Sequence, residues 1–344
     1  KDIMPDFDVF VSENGKTYKY LINNAPFKAY LKITKVDRET GKVVPYAGAG
    51  FEIYDSNGKK VSQTFTYPKK TTISTYYTNS EGYLITPEKL DYGKGYSLVE
   101  VQAPYGYVLD STPIKFNVTR DNSELEDALT LIKVKRDNIA QKGIIEVTKS
   151  GEVFASVENT DNIYTPVYEV QNLKGAVYQV FAAEDIKTPD GTLRYQQGER
   201  VDEITTGDDG IAKTKQLYLG KYTVVEKTAP INFVNANQQY DVELVYAGQN
   251  IAVTSTALSV YNERQKVTTS LSKEMQKDET YKLGMNDEIL SVQFGIYAAE
   301  DIKAADGSVI PADGLITIAN CDKDGNFTFD CDLPIGFKWY AKEV

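Results

Sequence analysis

The sequence predicts an all-β protein, an elongated array of tandem antiparallel β-sandwiches of immunoglobulin-like type. Three observations predict it: a pattern of strand, turn and strand that occurs three times, a composition rich in strand formers, and the lack of any long helical period. The 344 residues correspond to two or three domains of ordinary size, and an apolar content of 41% is enough for their cores. The 25 tyrosines, with abundant Val, Thr and Ile, favour strands.

Net charge is −11. This argues against a nucleic-acid partner, which needs clustered Lys and Arg against phosphates, and fits a self-repelling extracellular surface. Histidine is absent from the sequence. The commonest general base, the usual activation of a Ser or Cys nucleophile and most zinc sites go with it, so neither cofactor nor metal is expected. No apolar run reaches bilayer-crossing length, and no membrane insertion is expected of this segment. Cys321 and Cys331 are too few for a disulfide framework, and sequence alone does not place them opposite each other.

The repeat is anchored on a strand ending in glutamate. GYSLVEVQAP at 95–104, KYTVVEKTAP at 221–230 and FKWYAKEV at 337–344 align on Glu100, Glu226 and Glu343. Upstream, each copy carries a turn of one form: TNSEG (78–82), TGDDG (206–210) and CDKDG (321–325). Further upstream lies a strand: GFEIY, VYQVF or QFGIY. The junctions align without a gap. An Asn is followed 11 residues later by a Lys: Asn24 and Lys35, Asn138 and Lys149, Asn262 and Lys273.

These landmarks divide the chain. Residues 1–24 read as a hairpin, DFDVFVS and TYKYLINN around ENGK, left from a preceding unit. Unit one covers 25–140, unit two 141–264, and unit three, which stops just after its glutamate, 265–344. The chain reads as a piece of a longer array.

Side chains alternate faces along a strand. Leu31 and Ile33 share a face with Lys35, and Ile145 and Val147 share one with Lys149. Tyr96 and Leu98 share a face with Glu100, as do Tyr222 and Val224 with Glu226, and Trp339 and Ala341 with Glu343. On the closing strands Ile132 and Val134 lead to Asn138, with Arg136 interrupting the apolar face, while Leu258 and Val260 lead to Asn262. Each unit is therefore expected to aim such polar side chains at its own core. Burial lowers a Lys pKa and raises a Glu pKa, so a neutral amine beside a protonated carboxyl becomes possible. The amine is a nucleophile, the Asn carboxamide an electrophile, and the Glu a proton shuttle. The expected product is a Lys–Asn isopeptide bond with loss of ammonia. Asp137 is a second possible acceptor in unit one, but its parity points it outward.

The pattern resembles the Cna B-type, or SpaA-like, isopeptide-forming domains of Gram-positive surface adhesins and pilins. Its carriers in unit one are TKVD (34–37), GAGFEIYD (48–55), TNSEGYL (78–84) and YSLVEVQAPYGY (96–107). Unit two matches through TKS, GAVYQVF, TGDDG and YTVVEKTAP, with Ile231–Asn232 where the family has Gly-Tyr. The resemblance implies Lys35, Glu100 and Asn138 as one reacting set and Lys149, Glu226 and Asn262 as another. Unit three matches at Lys273 and Glu343, and its acceptor is expected outside this chain.

Other motifs have plainer readings. TFTYPKK at 64–70 resembles the Tyr-Pro-Lys motif whose lysine, here Lys69, joins pilin subunits under a sortase, but an ordinary polar loop also explains it. DKDGN (322–326) and GDDG (207–210) lack a spaced calcium ligand set and read as hairpin turns. The twice-occurring AAEDIK reads as a solvent-facing loop start. The segment 154–172, FASVENTDNIYTPVYEVQN, is extra length in unit two. It is either a long connecting loop or a surface for host matrix protein or glycan.

The leading expectation is a structural stalk of a cell-wall-anchored adhesin or pilus protein, extracellular, whose only chemistry is single-turnover self-cross-linking. A ligand-binding adhesin region, a sortase-polymerised pilin and an accessory domain of a secreted enzyme are the alternatives.

Overall fold

The structure is a computed structural model that describes residues 8–19, 25–235 and 237–344. Asn24 and the outer parts of the expected N-terminal hairpin lie outside the described residues. Within 8–19 there is a turn at Asn14–Gly15, and Ser12 Oγ meets Tyr18 OH at 3.0 Å, but no strand ladder forms.

Unit one is a sandwich of two sheets. One sheet runs in the order Ser123–Glu126, Leu129–Asn138, Lys28–Asp37 and Tyr83–Ile85, and the other runs Tyr76–Tyr77, Gly50–Tyr54, Gly93–Gln102 and Ile114–Val118. Leu31, Ile33 and Ile132 from the first sheet pack on Phe51, Ile53, Leu98 and Phe116 from the second. Unit two repeats the scheme. Lys142–Thr160 lies between Ile211–Lys213 and Val253–Asn262, facing a sheet of Arg200–Thr205, Val177–Ala182, Gly220–Thr228 and Gln239–Leu244. Its core gathers Ile145, Val147, Tyr178, Val180, Tyr222 and Val224.

One pairing departs from the antiparallel expectation. In both units the opening and closing strands lie side by side and run parallel: Lys35 is opposite Arg136, and Lys149 is opposite Val260. The remaining pairs within these two sandwiches are antiparallel. The parallel ladder puts the lysine and the asparagine on one sheet, two residues out of step. The glutamate comes from the facing sheet.

The repeated turn has a structural task. Gly82, Gly210 and Gly325 all have left-handed backbones, with φ of 79°, 72° and 84°. Each offers its carbonyl to the backbone N–H of the unit's lysine: Lys35, Lys149 and Lys273, at 2.8, 2.9 and 2.8 Å. A Cβ at Gly82 would stand 2.0 Å from Val44 O, and one at Gly325 would stand 2.2 Å from Lys273 O. Only glycine accommodates both the dihedral and the approach.

Segment 154–172 is not a loop. Lys142–Thr160 runs on through it and turns at Asp161–Asn162, both with positive φ, as a two-residue hairpin turn requires; the chain then returns as Ile163–Asn172. The hairpin lies against unit three. Phe154, Val157 and Tyr164 join the third core, around Val292, Ile296, Ile302 and Phe327. The backbones of Ala305 and Asp306 donate to Phe154 O and Ala155 O. Arg264 stacks on Tyr168, its guanidinium 3.7 Å from the ring centre, and pairs with Asp332 and Glu152. AAEDIK also departs from the solvent-facing reading, since Ile186 and Ile302 are buried in short two-stranded ladders.

Candidate functional site

In unit one the sandwich brings Lys35, Glu100 and Asn138 together, each 0–1% exposed. Lys35 Nζ donates to Asn138 Oδ1 at 2.6 Å and to Arg136 O at 3.0 Å. It stands 3.7 Å from Glu100 Oε1. Asn138 Nδ2 donates to Val108 O at 2.7 Å, which orients the carboxamide with its oxygen on the amine. Asp137 faces outward, as parity required, and pairs with Arg38 at 2.8 Å.

Unit two assembles the same residue types. Lys149 is 0% exposed, Asn262 3% and Glu226 4%. Lys149 Nζ lies 3.2 Å from Glu226 Oε1 as an ion pair. Asn262 Nδ2 donates to both Glu226 oxygens, at 3.0 and 2.8 Å. That orientation suits an ionised carboxylate. A half-turn of the amide would set Oδ1 on a protonated one instead.

Burial is the first cause of every resolved shift among these residues. It pushes Lys35 down to about 8, with Glu100 opposing and Arg136 reinforcing. It raises the Glu100 carboxyl against the pull of Lys35 and Arg136. It lowers Lys149 against the pull of Glu226. A lysine lowered this far supplies free amine near neutral pH, which is what a nucleophile requires.

Unit three departs from the expected pattern. Lys273 and Glu343 do meet, at 2.5 Å, but their side chains are 28% and 51% exposed, and Ala341 is exposed too. Among the described residues the opening strand Ser270–Ser272 pairs only with Asn326–Thr328. Among the described residues no closing strand lies over the pair, and both side chains are partly exposed.

Two neighbours were not recognised in the sequence. Arg136 does not merely interrupt an apolar face; it is buried, 4% exposed, with Nε 3.8 Å from Glu100 Oε2. Its position on the inward face was legible, but its charge argued against burial. Tyr178, directly across the ladder from Glu226, is fully buried and its hydroxyl has no hydrogen-bond partner. Unit one has Phe51 at the matching place, opposite Glu100.

Lys69 lies in the exposed turn between Gln63–Phe65 and Thr71–Ile73, after a cis Tyr67–Pro68 bond. DKDGN and GDDG are turns in which Asp322 Oδ1 and Asp209 Oδ1 accept backbone N–H groups. Cys321 and Cys331 are unbonded thiols, the first buried and both in or against the third core.

The sequence pattern of the SpaA family, described as a prealbumin-like fold domain, matches residues 29–133 and 167–258, more than half of the chain. The matched stretches contain Lys35, Glu100 and Glu226 and leave out Asn138, Lys149 and Asn262. No curated protein sequence matches the chain significantly. Among solved structures, the TIE protein of Bacillus anthracis is similar at 21% identity and a TM-score of 0.52, over 92% of this chain and 45% of that one. A streptococcal ancillary pilin is 20% identical with a TM-score of 0.25, over 70% of this chain and 63% of its own. The major pilin subunit BcpA of Bacillus cereus is 13% identical with a TM-score of 0.26, over 69% and 100%. The chain thus spans less than half of the first of these proteins and less than two thirds of the second. At such identity the likeness to the first is one of fold. The chain belongs to the SpaA family of prealbumin-like fold domains.

Proposed function

We propose that this chain is a stalk segment of a cell-surface adhesin or pilus protein of a Gram-positive bacterium, in units 25–140, 141–264 and 265–344, stiffened by isopeptide bonds that it forms itself. The observation that carries the reading is the double occurrence of one buried site, Lys35 with Glu100 and Asn138, and Lys149 with Glu226 and Asn262. A buried lysine, glutamate and carboxamide add little as packing, since apolar residues would stabilise the core at least as well. They make sense as reactants.

In each site the neutral Lys amine attacks Asn Cγ. The Nζ–Cγ bond forms and the Cγ–Nδ2 bond breaks. One proton moves from Nζ, through the Glu carboxyl, to Nδ2, which leaves as ammonia. The bond ties the opening strand to the closing strand across 103 positions in unit one. Closing a loop of ~100 residues is worth roughly 4–5 kcal/mol in the chain-entropy estimate made for disulfides. The chemistry turns over once, so the protein is not an enzyme in the usual sense. Lys273 awaits an acceptor from outside this chain.

Intact mass tests the reading. The wild-type chain is expected to be lighter than its calculated mass by two ammonias, and Glu100→Ala and Glu226→Ala each to regain one. The full calculated mass in wild type rejects the cross-linking. One feature favours a polymerised pilin as a second reading: Lys69 stands on an exposed turn, open to a sortase acyl-enzyme. Incubation with sortase and a sorting-signal substrate should then give an adduct that Lys69→Arg abolishes. The hairpin at 154–172 packs Phe154, Val157 and Tyr164 on unit three, while Ile163 and Val170 stay exposed.

A further inference from the structure

Arg136 and Val260 occupy the same place in the two parallel ladders, each directly opposite its unit's lysine. Only unit one puts a charge there. The guanidinium is held from behind: Nη1 donates to Thr112 O at 2.9 Å, and Nη2 lies 2.8 Å from Asp110 Oδ1. Its Nε faces Glu100 Oε2, while Lys35 Nζ faces Glu100 Oε1. Each oxygen of Glu100 therefore looks at one cation.

We propose that Arg136 is a positioning residue for the unit-one site, the standing counter-ion that keeps Glu100 a carboxylate while Lys35 becomes a free amine. The inference rests on the isopeptide reading above. In a buried site that holds only a lysine and a glutamate, neutralising the lysine alone strands an uncompensated anion, which is costly. The proton must then pass to the glutamate, and both groups become neutral together. Unit two has Val260, not a cation, at the matching place. In unit one Arg136 compensates Glu100 independently of Lys35. Glu100 can then enter the reaction as the base. It takes the proton from Nζ after the amine attacks Asn138 Cγ and returns it to the departing Nδ2.

The charged groups around Glu100 can be assigned element by element. Lys35 comes from the opening strand, Arg136 from the closing strand, and Asp110 from the loop behind Arg136. Arg38 and Asp137 pair with each other at the rim. Both the like-charge push of Arg136 on Lys35 and its pull on Glu100 act in the proposed sense.

The test uses the full chain carrying Asn138→Ala, which holds the site unreacted. The Glu100 carboxyl and Lys35 amine are titrated by NMR with and without Arg136→Met. Both midpoints are expected to rise in R136M, each proton affinity increasing about tenfold. In Arg136→Lys, which keeps the charge, they should stay near the parent values. Unchanged midpoints in R136M overturn the proposal. Should R136M fail to fold, Val260→Arg in an Asn262→Ala chain gives the converse. There the Lys149 midpoint should fall, and an unchanged midpoint also overturns the proposal. In chain synthesised and kept in denaturant, so that no bond has yet formed, and then folded at a series of pH values, R136M should move the pH–rate profile of unit-one ammonia loss to higher pH. A uniformly slower reaction with the same profile means that Arg136 is merely structural. If wild-type unit one never loses ammonia, the isopeptide reading fails, and the titrations still decide what Arg136 does to Glu100.

Discussion

The two complete units aim the same residue types at one point and surround the glutamate differently. In unit one the amine touches the Asn138 oxygen, and Arg136 stands beside Glu100. In unit two the Asn262 nitrogen sits on Glu226, with Val260 and Tyr178 as neighbours. What the units share is backbone: the parallel register and the glycine carbonyl that fixes the lysine. Backbone places the lysine and the asparagine, and side chains nearby set the surroundings of the glutamate. The largest expected effect tests the shared part. Asn138→Ala and Asn262→Ala should each destabilise their own unit by roughly 4–5 kcal/mol from the lost cross-link, beyond the smaller loss of hydrogen bonds. Hydrogen exchange resolved by unit is the measurement, because tandem units need not unfold in one step. A variant unit protected as well as wild type would mean that this unit does not close.

A smaller effect follows from the lysines before closure. In an Asn138→Ala chain, Lys35 is held at about 8 when folded, against 10.5 for the free side chain. Between those values the unfolded chain binds one more proton than the folded chain, so stability rises with pH across the window. The rise should approach about 3 kcal/mol and vanish in Asn138→Ala/Lys35→Met. Lys149 is also lowered, so Asn262→Ala against Asn262→Ala/Lys149→Met should show the same sign. Denaturant midpoints over a pH series measure both differences. A fall in stability with rising pH would contradict the burial that the two sites share.

Much of this was legible in the sequence, because period-two alternation and glycine turns are local signals. Lys35, Lys149, Glu100 and Glu226 were read inward from their apolar strand partners, and all are buried. The parallel ladder was not legible, since pairing between strands about a hundred residues apart leaves no local mark. Parity put Arg136 on the inward face, but its charge argued against the burial it shows. Glu343 was expected inward on the same parity argument as Glu100, yet it is exposed, because burial also needs a strand from elsewhere to cover it. Asp161–Asn162 between two alternating runs was a hairpin signal that could have been read, and the reading of 154–172 as a long connecting loop missed it.

Unit three extends the comparison. Its core also takes in the hairpin of unit two. Phe154→Ala should therefore destabilise unit three by about 2 kcal/mol, less than a fully buried Phe because this ring is only half-buried. Exchange should quicken in Gln293–Ala298 and Leu315–Asn320 and stay unchanged in Val177–Ala182 and Gly220–Thr228. Equal quickening in both units would mean that the hairpin belongs to unit two's core and braces nothing.

The smallest expected effect separates the neighbours of the two glutamates. Tyr178 OH is buried without a partner, and burial, then the nearby Glu226, push its pKa up. A buried hydroxyl left unsatisfied costs about 1–3 kcal/mol, and removing it takes the cost away. Tyr178→Phe should therefore stabilise unit two by about 1 kcal/mol, and Phe51→Tyr should weaken unit one by a similar amount. Chemical denaturation of the Asn262→Ala and Asn138→Ala chains, in which no cross-link masks the change, measures it. If Tyr178→Phe instead weakens unit two and alters its ammonia loss, the hydroxyl is engaged with Glu226. Tyr178 would then be to unit two what Arg136 is to unit one, a neighbour that adjusts one carboxyl while the backbone holds the reactants in place.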